Sequence, residues 1–206
     1  MLSISPPMKG AGQGDYYLEL AQEDYYTKGG EPPGKWYGEG TEALGVEGQV
    51  QAQELRKLLE GYSPDGKEKL VQNAGDDNRQ SGWDLTFSAP KSVSTLWAVS
   101  DEETRKTIQH AQEKAVHAAL DHIQGEAGFT RRGKGGEEIE SAKLSFATFE
   151  HGTSRSQDPQ LHTHALALNI GIREDGTTGT IRSKDIFEQK MSAGAIYRAE
   201  LSYQLE

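Results

Sequence analysis

The strongest constraint on how this chain can fold is the run 149–169, FEHGTSRSQDPQLHTHALALN, which crowds three of the six histidines between two apolar-alternating stretches. Alternate side chains of a strand share a face. If 143–151 and 161–170 are strands, His162 and His164 point the same way, and Gly152 with Asp158-Pro159 signals a turn between them. An antiparallel pair follows, and it carries His151 beside the other two. The second strand is apolar on both faces, with Leu166, Leu168 and Ile170 on the histidine side and Leu161, Ala165 and Ala167 opposite. That is the pattern of a central strand covered by other elements.

A lone His-x-His reads as ordinary histidines of a half-buried sheet. A third histidine at hairpin distance turns the reading toward a metal site. Three neutral imidazoles suit a divalent ion and leave coordination positions open for substrate oxygens and water. Zn, Ni or Cu binds such nitrogen donors more tightly than Mg or Mn, so the tightest ion need not be the working one.

The 206 residues suffice for one domain with a sizeable core. No window has the length or apolarity of a membrane span, no signal peptide is visible, and with no cysteine there is no disulfide or thiolate ligand. A cytoplasmic location without membrane insertion is expected. The net charge of −10 taken alone argues against nucleic acid. A bound cation, or basic residues gathered on one face, offsets that objection.

Along the chain, 15–21 reads as a helix capped by Asp15 and carrying Tyr16, Tyr17, Leu18 and Leu20. Tyr25-Tyr26 follows about half a turn out of phase on an unbroken helix. Residues 27–48 read as a loop anchored by Trp36 and Tyr37, 51–60 as a helix stopped by Gly61, and 62–82 as a long loop. Residues 83–88 alternate as a strand, and Ala89-Pro90-Lys91-Ser92 suits the first turn of a helix. With Ser88 and Lys91 that junction is either a phosphate site or a plain strand-helix turn. Residues 100–125 form the clearest helix, with a Ser100/Glu103 capping box and His110, His117 and His122 on its rim. Residues 128–138, with Arg131, Arg132 and Lys134 among glycines, read as a basic flexible loop, either a solvated turn or a phosphate-gripping finger. A turn at 172–179 precedes a helix from 183 to 205. That helix lacks a stop signal, which implies a longer protein.

The tyrosine pairs, GWDLTFSAPKSVS at 82–94 and EHGTSRSQDPQLHTHALALN at 150–169 together resemble the relaxase domain of the MobF family, the conjugative DNA-nicking helicases of the TraI/TrwC type. The resemblance spans nearly the whole chain. It implies an α+β fold, a central antiparallel sheet flanked by helices in the palm-like relaxase arrangement, with 1–206 as the relaxase domain. It further implies a site- and strand-specific single-stranded DNA transesterase that forms a 5′-phosphotyrosyl link at an origin of transfer and can rejoin ends. Expected partners are single-stranded or hairpin DNA and accessory nicking and coupling proteins, in a bacterial cytoplasm. By position, His151, His162 and His164 match the metal ligands, Tyr16 the first nucleophile, Asp84 the acidic partner, and Tyr25, with Tyr17 and Tyr26, the additional tyrosines. Lys91, Arg131, Arg132, Lys134 and Arg155 are the candidate DNA contacts.

The chemistry fits those residue types. A phosphotyrosyl ester resembles in energy the phosphodiester it replaces, so cleavage is reversible. Asp84 is a poor unaided base, because its ordinary pKa lies about 6 units below tyrosine's, roughly 8 kcal/mol uphill. Accepting a hydrogen bond from a ligand histidine is a less costly role. Three rivals remain at this level: a rolling-circle replication initiator, a metal-dependent small-molecule enzyme with structural tyrosines, and a DNA-binding module without catalysis.

Overall fold

The alternation in 146–168 is realised as two long antiparallel neighbours, β7 (Phe146–Thr153) and β8 (Pro159–Leu168), at the centre of the main sheet. The structure is a computed structural model that describes residues 1–10, 14–20, 32–153 and 158–206. The expected strand 143–151 starts three residues later, because Lys143 ends another strand and Leu144 and Ser145 make the corner. β8 is flanked on its other side by β4 (Gln80–Ser88), which begins earlier than expected. β1 (Leu2–Ile4) and β2 (Met8–Lys9) pair with β4, and β3 (Lys35–Tyr37) pairs with β7, all antiparallel. The order is β1-β4-β8-β7-β3 with β2 also on β4.

Both faces are covered, as the two-sided apolarity of β8 requires. Against one face lie α4 (Lys91–Val99), α5 (Glu102–Ala127) and α7 (Lys190–Gln204), packing on Leu85, Phe87, Phe146, Leu161, Ala165 and Ala167. The alanines Ala111, Ala115 and Ala119 are buried and let α5 lie close to the sheet. Against the other face lie α1 (Asp15–Leu20), α2 (Thr41–Leu44) and α3 (Ala52–Glu60), covering Ala147, Phe149, Leu166 and Leu168. Each fully buried large apolar side chain contributes about 1.5–3 kcal/mol. α3 stops at Gly61, which takes the left-handed conformation at φ 90° as expected.

Several expected boundaries are corrected. α1 starts at Asp15 itself, and Ala21 lies outside the described residues. The described part of the 27–48 loop contains β3 and α2. α5 is capped by Asp101, whose side chain accepts from the Thr104 amide, and not by a Ser100/Glu103 box. Ser100 instead closes α4, its Oγ donating to the Leu96 carbonyl at 2.7 Å. α5 also runs past Gly125 to Ala127. The path 62–79 is held by Arg79, a buried guanidinium that donates to Leu59 O, Asn73 Oδ1 and Asn169 O, and whose pKa burial lowers to about 10. The final helix is two, α6 (Ser183–Glu188) and α7, separated at Gln189.

The largest correction concerns 128–138. It is not a loop: β5 (Phe129–Arg132) and β6 (Glu138–Lys143) pair around a tight turn at 134–136. With β9 (Gly171–Arg173) and β10 (Thr178–Gly179), where a 172–179 turn was expected, they form a second antiparallel sheet. Backbone pairing and charge compensation of Arg132 outweigh the glycine content that suggested flexibility.

Candidate active site

Sheet register brings the three histidines together. His162 on β8 stands opposite His151 on β7 and Ser88 on β4, while His164 stands opposite Thr86. The His151 and His162 ring centres are 5.3 Å apart, His151 and His164 5.4 Å, and His162 and His164 5.0 Å. His151 is buried, at 6% exposure. β7 shifts register between His151 and Thr153, so the strand is bulged where it delivers this ring.

Asp84, one strand away, meets His164: its Oδ2 accepts from His164 Nδ1 at 2.7 Å and from Thr86 Oγ1 at 3.0 Å. His162 Nδ1 lies 2.8 Å from the Gln160 carbonyl oxygen. With both Nδ1 atoms engaged by acceptors, His162 and His164 keep Nε2 as the ligating nitrogen. Three imidazoles bound to one ion at about 2.1 Å with tetrahedral angles have ring centres roughly 5.2 Å apart. Among the described residues no group of three His, Asp or Glu side chains is set, as the side chains stand, so that it could hold a metal ion. The spacing of the rings and the engaged Nδ1 atoms match what a divalent ion requires of its imidazole donors.

The two tyrosines of α1 differ. Neighbours on a helix point in different directions, and packing decides which turns inward. Tyr17 is buried between Phe149 and His164, with ring centres 6.1 and 6.2 Å away. Burial first, then the Asp84 carboxylate and a hydrogen bond to it, push the Tyr17 phenol well above the ordinary range. Tyr16 is 48% exposed, and its ring centre lies 6.4 Å from His151 and 5.9 Å from His164. It therefore stands over the histidine cluster with an open side.

Lys91, at the start of α4, is at the histidine end of β8 and donates from Nζ to the Pro159 carbonyl at 3.1 Å. Arg131 and Arg132 lie in the second sheet, which joins the chain beyond the opposite end of β8. Arg132 is engaged by Asp175 at 2.7 Å and Glu140 at 3.3 Å, whereas Arg131 is exposed. Lys134 falls in the turn between β5 and β6. Tyr25, Tyr26 and Arg155 lie outside the described residues. On α5, His117 stacks on Tyr37 at 3.8 Å and His122 bonds Gln189 and Ser192, roles consistent with a rim position away from the site.

Thr86 was missed, although its alternation with Asp84 and Ser88 placed it on the site face. So was buried Gln112, which donates to Phe87 O and Thr163 Oγ1 and accepts from Tyr197. It ties α5 and α7 to the strand behind His162 and His164, and a glutamine in an apolar helix stripe was the available signal.

The chain is thus an α+β domain with histidine and tyrosine side chains clustered on one face of an antiparallel sheet. Comparison with known proteins supports the same fold class. The model of the TrwC relaxase family matches residues 11–206. The multifunctional conjugation protein TraI of Escherichia coli is 34% identical over 217 residues, covering 100% of this chain and 12% of that protein. This chain thus spans about an eighth of the length of that relative. The conjugative relaxase TrwC, solved with oriT DNA in a copper-bound state, matches with a TM-score of 0.83 at 36% identity, covering 100% of this chain and 70% of that one. TrwC complexed with a 27-mer DNA comprising the recognition hairpin and the cleavage site was also found, with a TM-score of 0.79 at 32% identity and coverage of 100% and 68%. The chain belongs to the TrwC relaxase family.

Proposed function

We propose that this domain nicks one strand of DNA at an origin of transfer by transesterification, with Tyr16 as the first nucleophile. The observation that carries this is the exposed Tyr16 ring set against three clustered histidines, one of them braced by Asp84. TrwC, its structural relative, was solved with oriT DNA in metal-bound form. Tyr16 Oη attacks the scissile phosphorus, the bond to the 3′ oxygen breaks, and a free 3′ hydroxyl departs while the 5′ phosphate stays on the tyrosine. The phenol gives up its proton as the leaving oxygen gains one. Reversal of the same step rejoins the ends.

His151, His162 and His164 would hold a divalent ion, Mg or Mn in function, which when bound offsets the charge on the phosphate oxygens. Asp84 fixes the His164 tautomer and ring direction. Tyr17 is a poor attacking group where it stands, because its phenol is buried beside a carboxylate. Tyr25 is assigned a later strand transfer, with Tyr26 accessory to it. Lys91, Arg131, Lys134 and Arg155 are proposed to touch the phosphate backbone, and Arg132 to do so only after leaving its carboxylate partners. Accessory nicking and coupling proteins and a bacterial cytoplasm complete the setting.

The test is a labelled origin oligonucleotide incubated with protein and Mn. A denaturant-resistant adduct at the 5′ phosphate of the fragment 3′ of the cut, mapped to Tyr16 by mass spectrometry, is expected. An adduct at another residue overturns the assignment, and hydrolysis or binding without any adduct overturns the activity.

A further inference from the structure

Gly152 follows His151 at the bulge of β7, and its backbone does not take the positive φ that would call for glycine. What excludes a side chain there is Trp97. A Cβ on residue 152 would lie 2.2 Å from Trp97 Cη2, 2.9 Å from Cζ3 and 3.1 Å from Cζ2. The indole edge thus rests on bare backbone next to a site histidine. Trp97 presses from the face covered by α4 and α5, while His151 leaves on the opposite face, toward α1.

The indole has little freedom to withdraw. The Arg105 guanidinium sits 5.5 Å from its ring centre, with Nε directed to Trp97 O at 3.4 Å and Nη2 to Ser100 O at 3.3 Å. α4 is in turn fastened to the strand that carries the other two histidines. Ser94 Oγ accepts from the Leu161 amide at 3.1 Å, and the Ala89 amide donates to Leu161 O at 3.0 Å, one residue before His162. Trp97 Nε1 is buried with no hydrogen-bond partner among the described residues, and the ring is held there by its shape.

We infer that Trp97 and Gly152 are a positioning pair: the indole, referenced through α4 to β8, sets the bulge of β7 and hence the distance of His151 from His162 and His164. The inference rests on the three histidines forming one site. A larger residue at 152 drives the bulge toward the site face and pulls His151 out of the cluster, whereas the same residue is harmless once the indole is shortened.

The experiment compares wild-type protein, Gly152→Ala, Trp97→Leu and the double variant. It reads imidazole nitrogen resonances by NMR in metal-free protein, Co(II) binding by visible absorption, and thermal melting. Gly152→Ala should shift the His151 resonances and weaken Co(II) binding at least tenfold. On the Trp97→Leu background the same alanine should change neither. Should Gly152→Ala alone fail to fold, a folded double variant that matches Trp97→Leu supports the pair. Wild-type behaviour of Gly152→Ala, an undiminished loss on the Trp97→Leu background, or a double variant that also fails to fold overturns it. If wild-type protein binds no Co(II), the metal assignment falls, and the metal-free imidazole resonances still decide the pair.

Discussion

Replacing Asp84 by asparagine isolates the charge on the His164 bond with little change in shape. In the native site one carboxylate oxygen accepts from His164 Nδ1 at 2.7 Å and from Thr86 Oγ1 at 3.0 Å. The side chains of His164 and Asp84 are 15% and 12% exposed, so water screens the pair weakly. A hydrogen bond to a charged group is worth about 1.5–3 kcal/mol net, against about 0.5–1.5 for a neutral one. Asp84→Asn should therefore cost roughly 1–1.5 kcal/mol of His164 alignment, close to tenfold in metal affinity, within the roughly 10–100-fold range for partners of ligand histidines. Titration against a competing chelator measures this, with melting curves to show that the fold persists. The effect must also vanish on a His164→Ala background, because the two groups act as one unit. Unchanged affinity in Asp84→Asn, or an equal loss without His164, would refute the reasoning.

His162→Ala should abolish nicking while leaving the melting transition cooperative, and chelation of wild-type protein should mimic it; full cleavage by the variant in metal-free buffer would remove the histidines from the mechanism. Tyr16→Phe should yield no covalent adduct on a fresh oligonucleotide, whereas Tyr17→Phe should retain it. Arg131→Ala should weaken DNA binding for all sequences alike and flatten the slope of log affinity against log salt by about one. Arg132→Ala should instead act on the melting temperature, since its charge is engaged by Asp175 and Glu140. Asp101→Ala should lower the melting temperature near neutrality. The Thr104 amide holds the Asp101 carboxyl below its usual pKa, so its stabilisation is present above about pH 4 and is lost as pH falls through the lowered value; the two melting curves should converge in acid.

Much of the site was legible in the sequence because its information is local. Period-two alternation through HTHALAL implied a central strand and its two-sided apolarity implied cover on both faces, whereas Gly152, read as part of a turn, lies inside β7. The alanine stripe of α5 and the Gly61 stop of α3 are equally local, since backbone conformation and one-sided burial are written in neighbouring residues. What the tertiary structure alone decided depends on groups far apart in the chain. Asp84 and His164, 80 residues apart, meet because β4 pairs with β8. Tyr16 and Tyr17 are chemically alike in sequence, and only packing of α1 on Phe149 and His164 buries one and exposes the other. The basic stretch 128–138 suggested a free loop because glycine and charge are read locally, while the strand partners and carboxylates that settle it come from residues 138–143 and 171–175. Gly152 reads in the sequence as part of a turn, and no local pattern marks Trp97. Their contact exists because α4 is tied to β8 and β7 bulges beside it, a steric fact that no spacing along the chain encodes.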